Sequence, residues 1–393
     1  MANHATRRGF LKATAALPAA GTALGAARSN SFADANVYTR LGIRPVINGI
    51  GTVTILGGSL MPPEVVRAMD EAARYFVPII ELQRKVGARI AELLDIPAAM
   101  VTAGAASAIT VATAACISRG NSADFHRLPD VTGLKHEVIQ QKSHAVGYEA
   151  QIRVTGAKII PVETREELLA AINERTAMLY FTNLCDSKGQ VKRDEFVKIG
   201  KEKNIPTFND AAADVPPREH LSQYVKDGFD LVTFSGGKGL MGPQCSGLLL
   251  GRKDLIEAGI PTISPHDGIG RGMKVGKEEM IGLLAAVERY LKVDLEAELR
   301  VLDNRANHVI QTLSKVSGVK AARFVPEIAN HVPHVQIEWQ GKMTAQEVSK
   351  QLAAGDPAIA VSGGSSQSLT LSVWMMQGDE HKIVAKRLAE VLG

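Results

Sequence analysis

The sequence contains few of the residues that build cross-linked or metal-centred proteins. Three of its 393 residues are cysteines, Cys116, Cys185 and Cys245, an odd number at wide spacing. No Cys-x-x-Cys pair and no His/Cys ligand spacing is present, so the sequence predicts neither a disulfide framework nor a metal site. Low cysteine usage is compatible with folding in a reducing compartment.

Hydrophobic runs long enough to span a membrane are also missing, and an uncharged, Ala-rich stretch lies near the N-terminus. Arg7 and Arg8 precede an Ala-rich segment over 13–27, which small residues follow up to Ala33. This order is typical of a twin-arginine export signal, and the segment is too short and too weakly apolar to span a membrane. We therefore predict a signal peptide over residues 1–33 and no stable membrane anchor. The expected partner is the twin-arginine export machinery, which carries folded proteins out of the cytoplasm, so an exported or periplasmic location is expected.

The basic excess of the chain belongs to this segment. Lys plus Arg count 45 against 41 Asp plus Glu, and four of the basic residues, at positions 7, 8, 12 and 28, lie before residue 34. The remaining chain is electrically balanced, so the basic excess is no argument for a nucleic acid partner, and none is expected.

Lys238 is the strongest candidate for chemistry. It lies in the loop Ser235-Gly236-Gly237-Lys238-Gly239, between the apolar runs 229–234 and 248–250. Two short apolar runs joined by glycines predict two strands and a tight loop. An amine in a partly desolvated pocket becomes a nucleophile that can form a Schiff base; the alternative is a lysine at an exposed hairpin tip.

Asp210 ends an apolar segment, Ile205 to Asn209, about thirty residues before Lys238. A carboxylate at the end of a strand in an α/β sheet points into the ligand crevice. An acid and a lysine on successive strand ends are what pyridoxal 5'-phosphate needs, because the carboxylate keeps the pyridine nitrogen protonated. A helix cap or a turn is the alternative role of Asp210.

Three further segments fit a phosphate-bearing cofactor. Ala105, Ala106 and Ser107 follow a predicted strand end and begin an Ala-rich helix, whose free N–H groups form an anion site. Ser235 adds a hydroxyl near the lysine. His144 follows another apolar stretch and is predicted to lie over the pyridine ring; its alternative is a structural histidine.

The order of elements predicts an α/β protein with a mainly parallel sheet. Strands near Val138 and at 157–162, 177–182 and 205–209 alternate with helices at 105–118, 166–173 and 192–203. Long helices are expected at 63–94 and 276–302. Beyond them, 334–339, 345–354, 368–374 and 380–392 predict a small α+β domain. The expected divisions are a signal peptide (1–33), an N-terminal arm (34–62), a large cofactor-binding domain (63–275), and a linking helix with the small C-terminal domain (276–393).

These residues carry a resemblance to a known family. The chain resembles the fold-type-I pyridoxal-phosphate enzymes of the selenocysteine-synthase-like group, and within it the D-glucosaminate-6-phosphate ammonia-lyase branch. The stretches that carry the resemblance are 44–49, 54–57, 103–107, 144–150, 209–213, 235–238, 242–244 and 271–279. The lysine loop and the segment 271–279 are specific, whereas the Ala-rich loop is not.

The resemblance implies a role for several residues. Lys238 is then the Schiff-base lysine, Asp210 the partner of the pyridine nitrogen, and His144 the ring-stacking residue. The phosphate loop has Ala105 and Ala106 where relatives can carry hydroxyls, so substrate specificity is not carried over. Arg44 and Arg271 are the candidates for binding the substrate carboxylate.

The expected reaction is a lyase reaction, α,β-elimination of ammonia or water from a small polar amino acid or amino sugar acid. Racemisation, aldol cleavage and a selenocysteine-synthase-like transfer to tRNA are alternatives, as is a catalytically silent binding protein. The transfer is disfavoured, because the expected fold begins directly after the signal and export separates the protein from tRNA. Since fold-type-I sites form at a two-fold interface, we expect a homodimer or a higher even-numbered assembly. The segment 268–277 is expected to reach the neighbouring subunit.

Overall fold

The computed structural model describes residues 36–393, which form three sheets of seven, three and two strands. The predicted signal peptide lies outside the described residues. The strands are β1 Val46–Asn48, β2 Ala98–Thr102, β3 Glu137–Gln141, β4 Lys158–Val162, β5 Thr176–Thr182, β6 Thr207–Asp210, β7 Leu231–Ser235, β8 Gly247–Gly251, β9 Val319–Phe324, β10 His334–Trp339, β11 Ala358–Ala360 and β12 Ser368–Ser372. The helices are α1 Pro63–Ala73, α2 Ile79–Leu94, α3 Ala105–Ser118, α4 Ser122–Arg127, α5 Ala150–Arg153, α6 Arg165–Ala171, α7 Arg193–Lys203, α8 His220–Asp227, α9 Lys253–Gly259, α10 Lys277–Tyr290, α11 Leu295–Leu313, α12 Ala345–Ala354 and α13 Glu380–Leu392.

The large sheet has seven strands in the order β2-β8-β7-β6-β5-β3-β4. Strand β8 is antiparallel to both neighbours, and the other pairings within the sheet are parallel. Apolar clusters cover both faces of the sheet, so its central strands are buried on both sides. This burial explains why their sequences are continuous apolar runs. The mainly parallel α/β architecture predicted from the sequence is confirmed.

The small domain is a three-stranded antiparallel sheet in the order β12-β10-β9. Helices α11, α12 and α13 pack with it in an apolar cluster. The N-terminal arm joins this domain, because β1 pairs with β11 as a two-stranded parallel sheet. The predicted small C-terminal α+β domain is therefore present, and the arm is part of its structure.

Two predicted long helices are each broken in two. The stretch expected over 63–94 forms α1 and α2, and Pro78 is the N-cap residue of the second helix. Proline lacks the N–H that a continuous helix needs, so the helix is interrupted there. The stretch expected over 276–302 forms α10 and the start of α11, where the Asp294 side chain accepts a hydrogen bond from the Ala297 N–H.

Helix α10 belongs with the large domain. It packs against α1 and α2 in the apolar cluster of that domain, which Leu295 at the start of α11 also contacts. The apolar cluster of the small domain includes Leu299 and Leu302 of α11. The predicted division of the chain at residue 276 stays a prediction.

Parallel strands β5, β6 and β7 all end at one edge of the large sheet. Loops that leave this edge carry Asn183, Asp210 and Lys238 toward a common crevice, the usual ligand position in such folds. Over residues 36–393, no helix has the length and apolar character needed to cross a bilayer.

Candidate active site

Lys238 lies in the tight loop that joins β7 to β8. The loop is closed by backbone hydrogen bonds from the Gly236 N–H to the Ser246 carbonyl and from the Gly242 N–H to the Gly236 carbonyl, both at 2.8 Å. Its Nζ makes no hydrogen bond or ion pair with any residue of the described chain. Burial lowers the pKa of the Lys238 amine, and the nearby carboxylates of Asp210 and Asp214 partly oppose this. The Lys238 side chain is partly buried, so the geometry favours the predicted pocket over the hairpin-tip alternative, and the Schiff-base role stays a prediction.

Asp210 ends β6, next to the strand that precedes the lysine loop. Its carboxylate is 7% exposed and accepts hydrogen bonds from the Tyr180 hydroxyl at 3.1 Å and from the Ala212 N–H at 3.2 Å. Burial raises the pKa of this carboxyl group, although the two hydrogen bonds and the Lys238 ammonium counteract the effect. A buried acid that lies within electrostatic range of a partly buried amine makes a compact charged site.

Helix α3 begins beside this pair with free hydrogen-bond donors. The N–H groups of Ala105, Ala106 and Ser107 have no partner in the described chain, because the first helical bond is that of Ala108. The Ser107 hydroxyl is buried and also unpartnered. Gly104, at a φ of +116°, turns the chain into the helix, a conformation that favours glycine. These donors can hold an anion.

Two more hydroxyls border the crevice. Ser235, at the end of β7, is half-buried, and its backbone N–H donates to the Ala212 carbonyl at 3.1 Å. Ser59 belongs to the N-terminal arm, and its N–H donates to the Gly237 carbonyl at 2.9 Å, while its hydroxyl is buried without a partner. The contact between arm and lysine loop was not predicted, because nothing in the sequence of the arm indicates which loop it meets.

The structure does not support the ring-stacking role predicted for His144. Its side chain is completely buried, Nδ1 accepts a hydrogen bond from the Thr182 N–H at 3.1 Å, and the ring packs edge-on against Phe181. Burial lowers the pKa of His144 to about 4. These contacts are those of the structural alternative, and the ring-stacking role stays a prediction.

Neither candidate for the substrate carboxylate reaches Lys238. In the described chain, the hydrogen bonds of Arg44 and Arg271 go to the Ala353 carbonyl at 2.6 Å and to the Ser264 hydroxyl at 2.9 Å, respectively. Arg44 therefore secures the arm to α12, and Arg271 lies on an exposed loop. The two substrate roles stay predictions without geometric support within one subunit.

A polar cluster next to the crevice was not predicted. Asn183, directly after β5, donates to the carboxylate of Asp214 at 2.6 Å and to the Tyr224 hydroxyl at 3.0 Å. Arg193 donates to the side-chain amide oxygen, Oδ1, of Asn183 at 3.3 Å. The sequence signal was the second acid of Asp210-Ala-Ala-Ala-Asp214, four residues after the first.

No set of three or more His, Cys, Asp or Glu side chains in residues 36–393 is arranged to hold a metal ion. The crevice instead combines a desolvated amine, buried carboxylates and free N–H donors at a helix start. This combination suits an anionic cofactor or substrate that reacts with an amine.

The comparisons with known proteins agree with this geometry. The family model of L-seryl-tRNA selenium transferase matches residues 46–345. The chain is similar to D-glucosaminate-6-phosphate ammonia lyase of Salmonella typhimurium, with 34% identity over 82% of this chain and 88% of the relative. It is also similar to a 5'-C-glycyluridine monooxygenase-decarboxylase of a Streptomyces species, with 31% identity over 90% of this chain and 92% of the relative.

A solved structure of a D-glucosaminate-6-phosphate ammonia-lyase superimposes with a TM-score of 0.79 and 31% identity, covering 91% of this chain and 98% of that chain. The architecture is that of the fold-type-I pyridoxal-phosphate enzymes, as the sequence predicted. By the match to most of its length and the identity to these relatives, the chain belongs to the L-seryl-tRNA selenium transferase family.

Proposed function

We propose that this protein is a pyridoxal-phosphate-dependent lyase that eliminates ammonia or water from a small polar amino acid or amino sugar acid. The observation that carries the proposal is the unpartnered, desolvated amine of Lys238 beside the buried carboxylate of Asp210. The similarity over most of the chain to an ammonia lyase that acts on an amino sugar acid supports the reaction class.

The residues of the crevice fit pyridoxal 5'-phosphate. The unpartnered N–H groups of Ala105, Ala106 and Ser107, together with the unpartnered Ser107 hydroxyl, match the acceptor oxygens of a phosphate. The carboxylate of Asp210 can pair with a protonated pyridine nitrogen, and the amine of Lys238 can react with the cofactor aldehyde. Ser235 is positioned at the end of β7 to supply a further donor.

When bound, the cofactor supplies an aldehyde that joins an amine and a ring that withdraws electrons from the substrate α-carbon. Residues of this chain would hold the cofactor and move the proton. Lys238 would hold the aldehyde, and its Nζ, once released, would be the base that accepts the α-proton of the substrate. Asp210 would pair with the ring nitrogen, because its carboxylate lies in a low-dielectric environment where charge pairing is strong.

An oxidative decarboxylase is the second candidate function. It rests on the 31% identity to the 5'-C-glycyluridine monooxygenase-decarboxylase, which covers 92% of that relative. The two candidates differ in the need for dioxygen and in the loss of the substrate carboxylate.

One screen distinguishes these reactions. Purified protein loaded with the cofactor is incubated with D- and L-amino acids and amino sugar acids, with and without dioxygen, and Lys238→Ala is the control. Oxygen-independent release of ammonia and a keto acid is the expected result. Carbon dioxide release that requires dioxygen would support the second candidate. Exchange of the α-hydrogen without ammonia release would support a racemase, and an aldehyde product an aldolase.

We also propose that the protein acts as a homodimer or a higher even-numbered homo-oligomer. The region around α1 and α2 exposes Tyr75 and Phe76, the latter completely, and the arm exposes Ile55 and Leu60. A set of exposed large apolar side chains is typical of protein–protein interfaces. In the segment 268–277, Lys277 bonds to the Ala72 carbonyl of its own subunit at 2.8 Å, which leaves the exposed Arg271 and Lys274 to reach a neighbour.

Sedimentation measures this assembly directly. The wild type is expected to sediment as a dimer or a larger even-numbered species, and Arg271→Ala is expected to retain the cofactor less well. Lys320→Ala, on the exposed strand β9 of the small domain, is the matched control. A stable, active monomer would contradict the assembly.

Export by the twin-arginine machinery is a further proposal, supported by Arg7 and Arg8 before the Ala-rich segment. Fractionation of cells that express the full chain, compared with the double variant Arg7→Lys and Arg8→Lys, tests it. Retention of the variant in the cytoplasm is expected, and equal export of both proteins would contradict the proposal.

A further inference from the structure

A second carboxylate, Asp214, has no part in the mechanism described so far. The residue after it, Val215, lies against the lysine loop, because a Cβ on Gly239 would be 2.0 Å from the Val215 carbonyl oxygen. Asp214 follows Asp210 by four residues in the loop after β6, and it is only 2% exposed. Its backbone N–H donates to the Ala211 carbonyl at 3.0 Å, so the loop turns the chain back toward the sheet edge. Burying a carboxylate without an ion pair is costly unless hydrogen bonds hold it.

Asn183 holds Asp214 in place. Its Nδ2 donates to Asp214 Oδ2 at 2.6 Å. The Tyr224 hydroxyl completes the cluster, at 3.5 Å from the same oxygen and 3.1 Å from His220 Nδ1. The His220 ring in turn contacts the Asp214 backbone carbonyl at 2.8 Å. Three elements, the loop after β5, the loop after β6 and α8, thus converge on one carboxylate.

The charged groups that face Asp214 come from every packed element. They are Asp210 on β6, Lys238 on the loop after β7 and Arg193 on α7, with Tyr224 and His220 on α8. Burial raises the pKa of Asp214 to about 7; the charge of Asp210 raises it further, while Asn183, Lys238 and Arg193 lower it. Conversely, Lys238 is stabilised as an ammonium by two carboxylates, Asp210 and Asp214.

The carboxylates of Asp210 and Asp214 differ in the groups that they bind. In the proposed function Asp210 is committed to the ring nitrogen of the cofactor. Asp214 makes its hydrogen bonds within the protein and is therefore the carboxylate that stays available to the lysine. We propose that Asp214 is a positioning residue of the lyase site, which acts on Lys238 and sets the pH at which its amine gains or loses a proton. This proposal rests on the proposed function for its place in turnover, but the coupling between Asp214 and Lys238 exists without the cofactor.

The first test measures this coupling in cofactor-free protein. The rate at which acetic anhydride acetylates Lys238 is followed by mass spectrometry across a range of pH in the wild type, Asp214→Asn and Asp214→Glu. Removing an anion lowers the pKa of a nearby amine, so the midpoint for Asp214→Asn is expected to shift by about one pH unit to lower pH. Asp214→Glu, which keeps the charge, is expected to restore most of the shift.

Glu380→Gln is the matched control. Burial raises the pKa of Glu380 too, but this carboxylate faces Arg305 in the small domain and not Lys238. An unchanged Lys238 midpoint is expected in this variant. Equal midpoints in the wild type and Asp214→Asn would overturn the proposal, and so would an equal shift in Glu380→Gln.

The reciprocal measurement applies if Asp214→Asn does not fold. Coupled groups shift each other's titration, so loss of the lysine must change Asp214. Carboxyl-carbon NMR of aspartate-labelled protein is expected to show a resonance that titrates near pH 7 in the wild type and at higher pH in Lys238→Ala. An identical titration in both proteins would overturn the proposal.

The loaded enzyme gives an independent spectroscopic reading. The visible absorption band of the bound cofactor is titrated in the wild type and Asp214→Asn, and its midpoint is expected to move to lower pH. Failure of the protein to bind pyridoxal phosphate would sink the proposed function, whereas the acetylation result decides the coupling on its own.

Discussion

The crevice edge of the large sheet and the core of the small domain are equally buried but differ in chemistry. At the crevice edge, the side chains that are almost completely buried include His144, Asn183, Asn209, Asp210 and Asp214. In the small domain, over residues 295–393, the buried polar side chains are Arg305, His334 and Ser372, and the rest of the core is apolar. Buried polar groups cost stability unless they are fully hydrogen-bonded.

Unpartnered atoms occur in both regions. Ser107 Oγ and Asn209 Oδ1 are buried at the crevice edge without a hydrogen-bond partner, and Arg387 Nε is the corresponding atom of the small domain, where another nitrogen of the same guanidinium binds Glu390. A sheet edge that retains such atoms is adapted to a ligand and not to maximum stability, whereas the small domain supports the site through packing. Substitutions should therefore affect function at the crevice and stability in the small domain.

The largest effect is expected for Lys238→Ala, which removes the nucleophilic amine. Turnover and the borohydride-trapped adduct with pyridoxal phosphate should both be lost, while the unfolding midpoint should stay the same or rise, since a desolvated amine is removed. Peptide mapping after reduction measures the adduct. Cofactor still attached covalently in this variant would show that another residue forms the bond.

Asp210→Ala tests the role of the buried acid. The variant should still bind the cofactor, but its turnover should fall by about 100-fold or more, because a charge partner in a water-poor site is lost. Asp227→Ala, at an exposed position at the end of α8, is the matched control. Near-normal turnover in Asp210→Ala would mean that another group protonates the ring.

The small domain is tested with Leu371→Ala, which truncates a completely buried side chain of β12. The free energy of unfolding should fall by about 2–5 kcal/mol, through lost apolar burial and the cavity left behind. Chemical denaturation measures it. The Lys238 acetylation midpoint should not move, and a moved midpoint would show that the two regions are not separable.

The smallest effect is a pH dependence that arises from His144. Its folded-state pKa of about 4 lies below the ordinary value of 6.5, so the unfolded chain binds more protons between these values. This contribution is present above pH 6.5 and is lost as the pH falls toward 4, by up to about 3 kcal/mol. Denaturation of the wild type and His144→Asn at several pH values measures it, and equal slopes would contradict the buried, neutral state.

Local patterns in the sequence were sufficient for the central part of the site. Lys238 and Asp210 each follow a short apolar run, and strand ends of one parallel sheet lie at the same edge. The Ala105 helix start was visible for the same reason. The helix breaks were also visible in part, since Pro78 and the capping residue Asp294 are sequence signals that a continuous apolar pattern obscured.

The remaining parts depend on contacts between distant segments. His144 is enclosed because Gly189 comes so close that a Cβ there would lie 2.4 Å from His144 Nε2. Asp214 is held by Asn183, 31 residues earlier in the chain. A histidine or an acid looks the same in the sequence whether such a neighbour is present or not, so burial and pairing could not be predicted.

The pairing of β1 with β11 has a consequence for synthesis on the ribosome. The first described strand, Val46–Asn48, has its partner at Ala358–Ala360, about three hundred residues later. All seven strands of the large sheet are translated before this partner emerges. The arm, whose Ser59 touches the lysine loop, therefore gains its strand pairing only when the chain is almost complete, so a prematurely terminated chain leaves the arm unpaired.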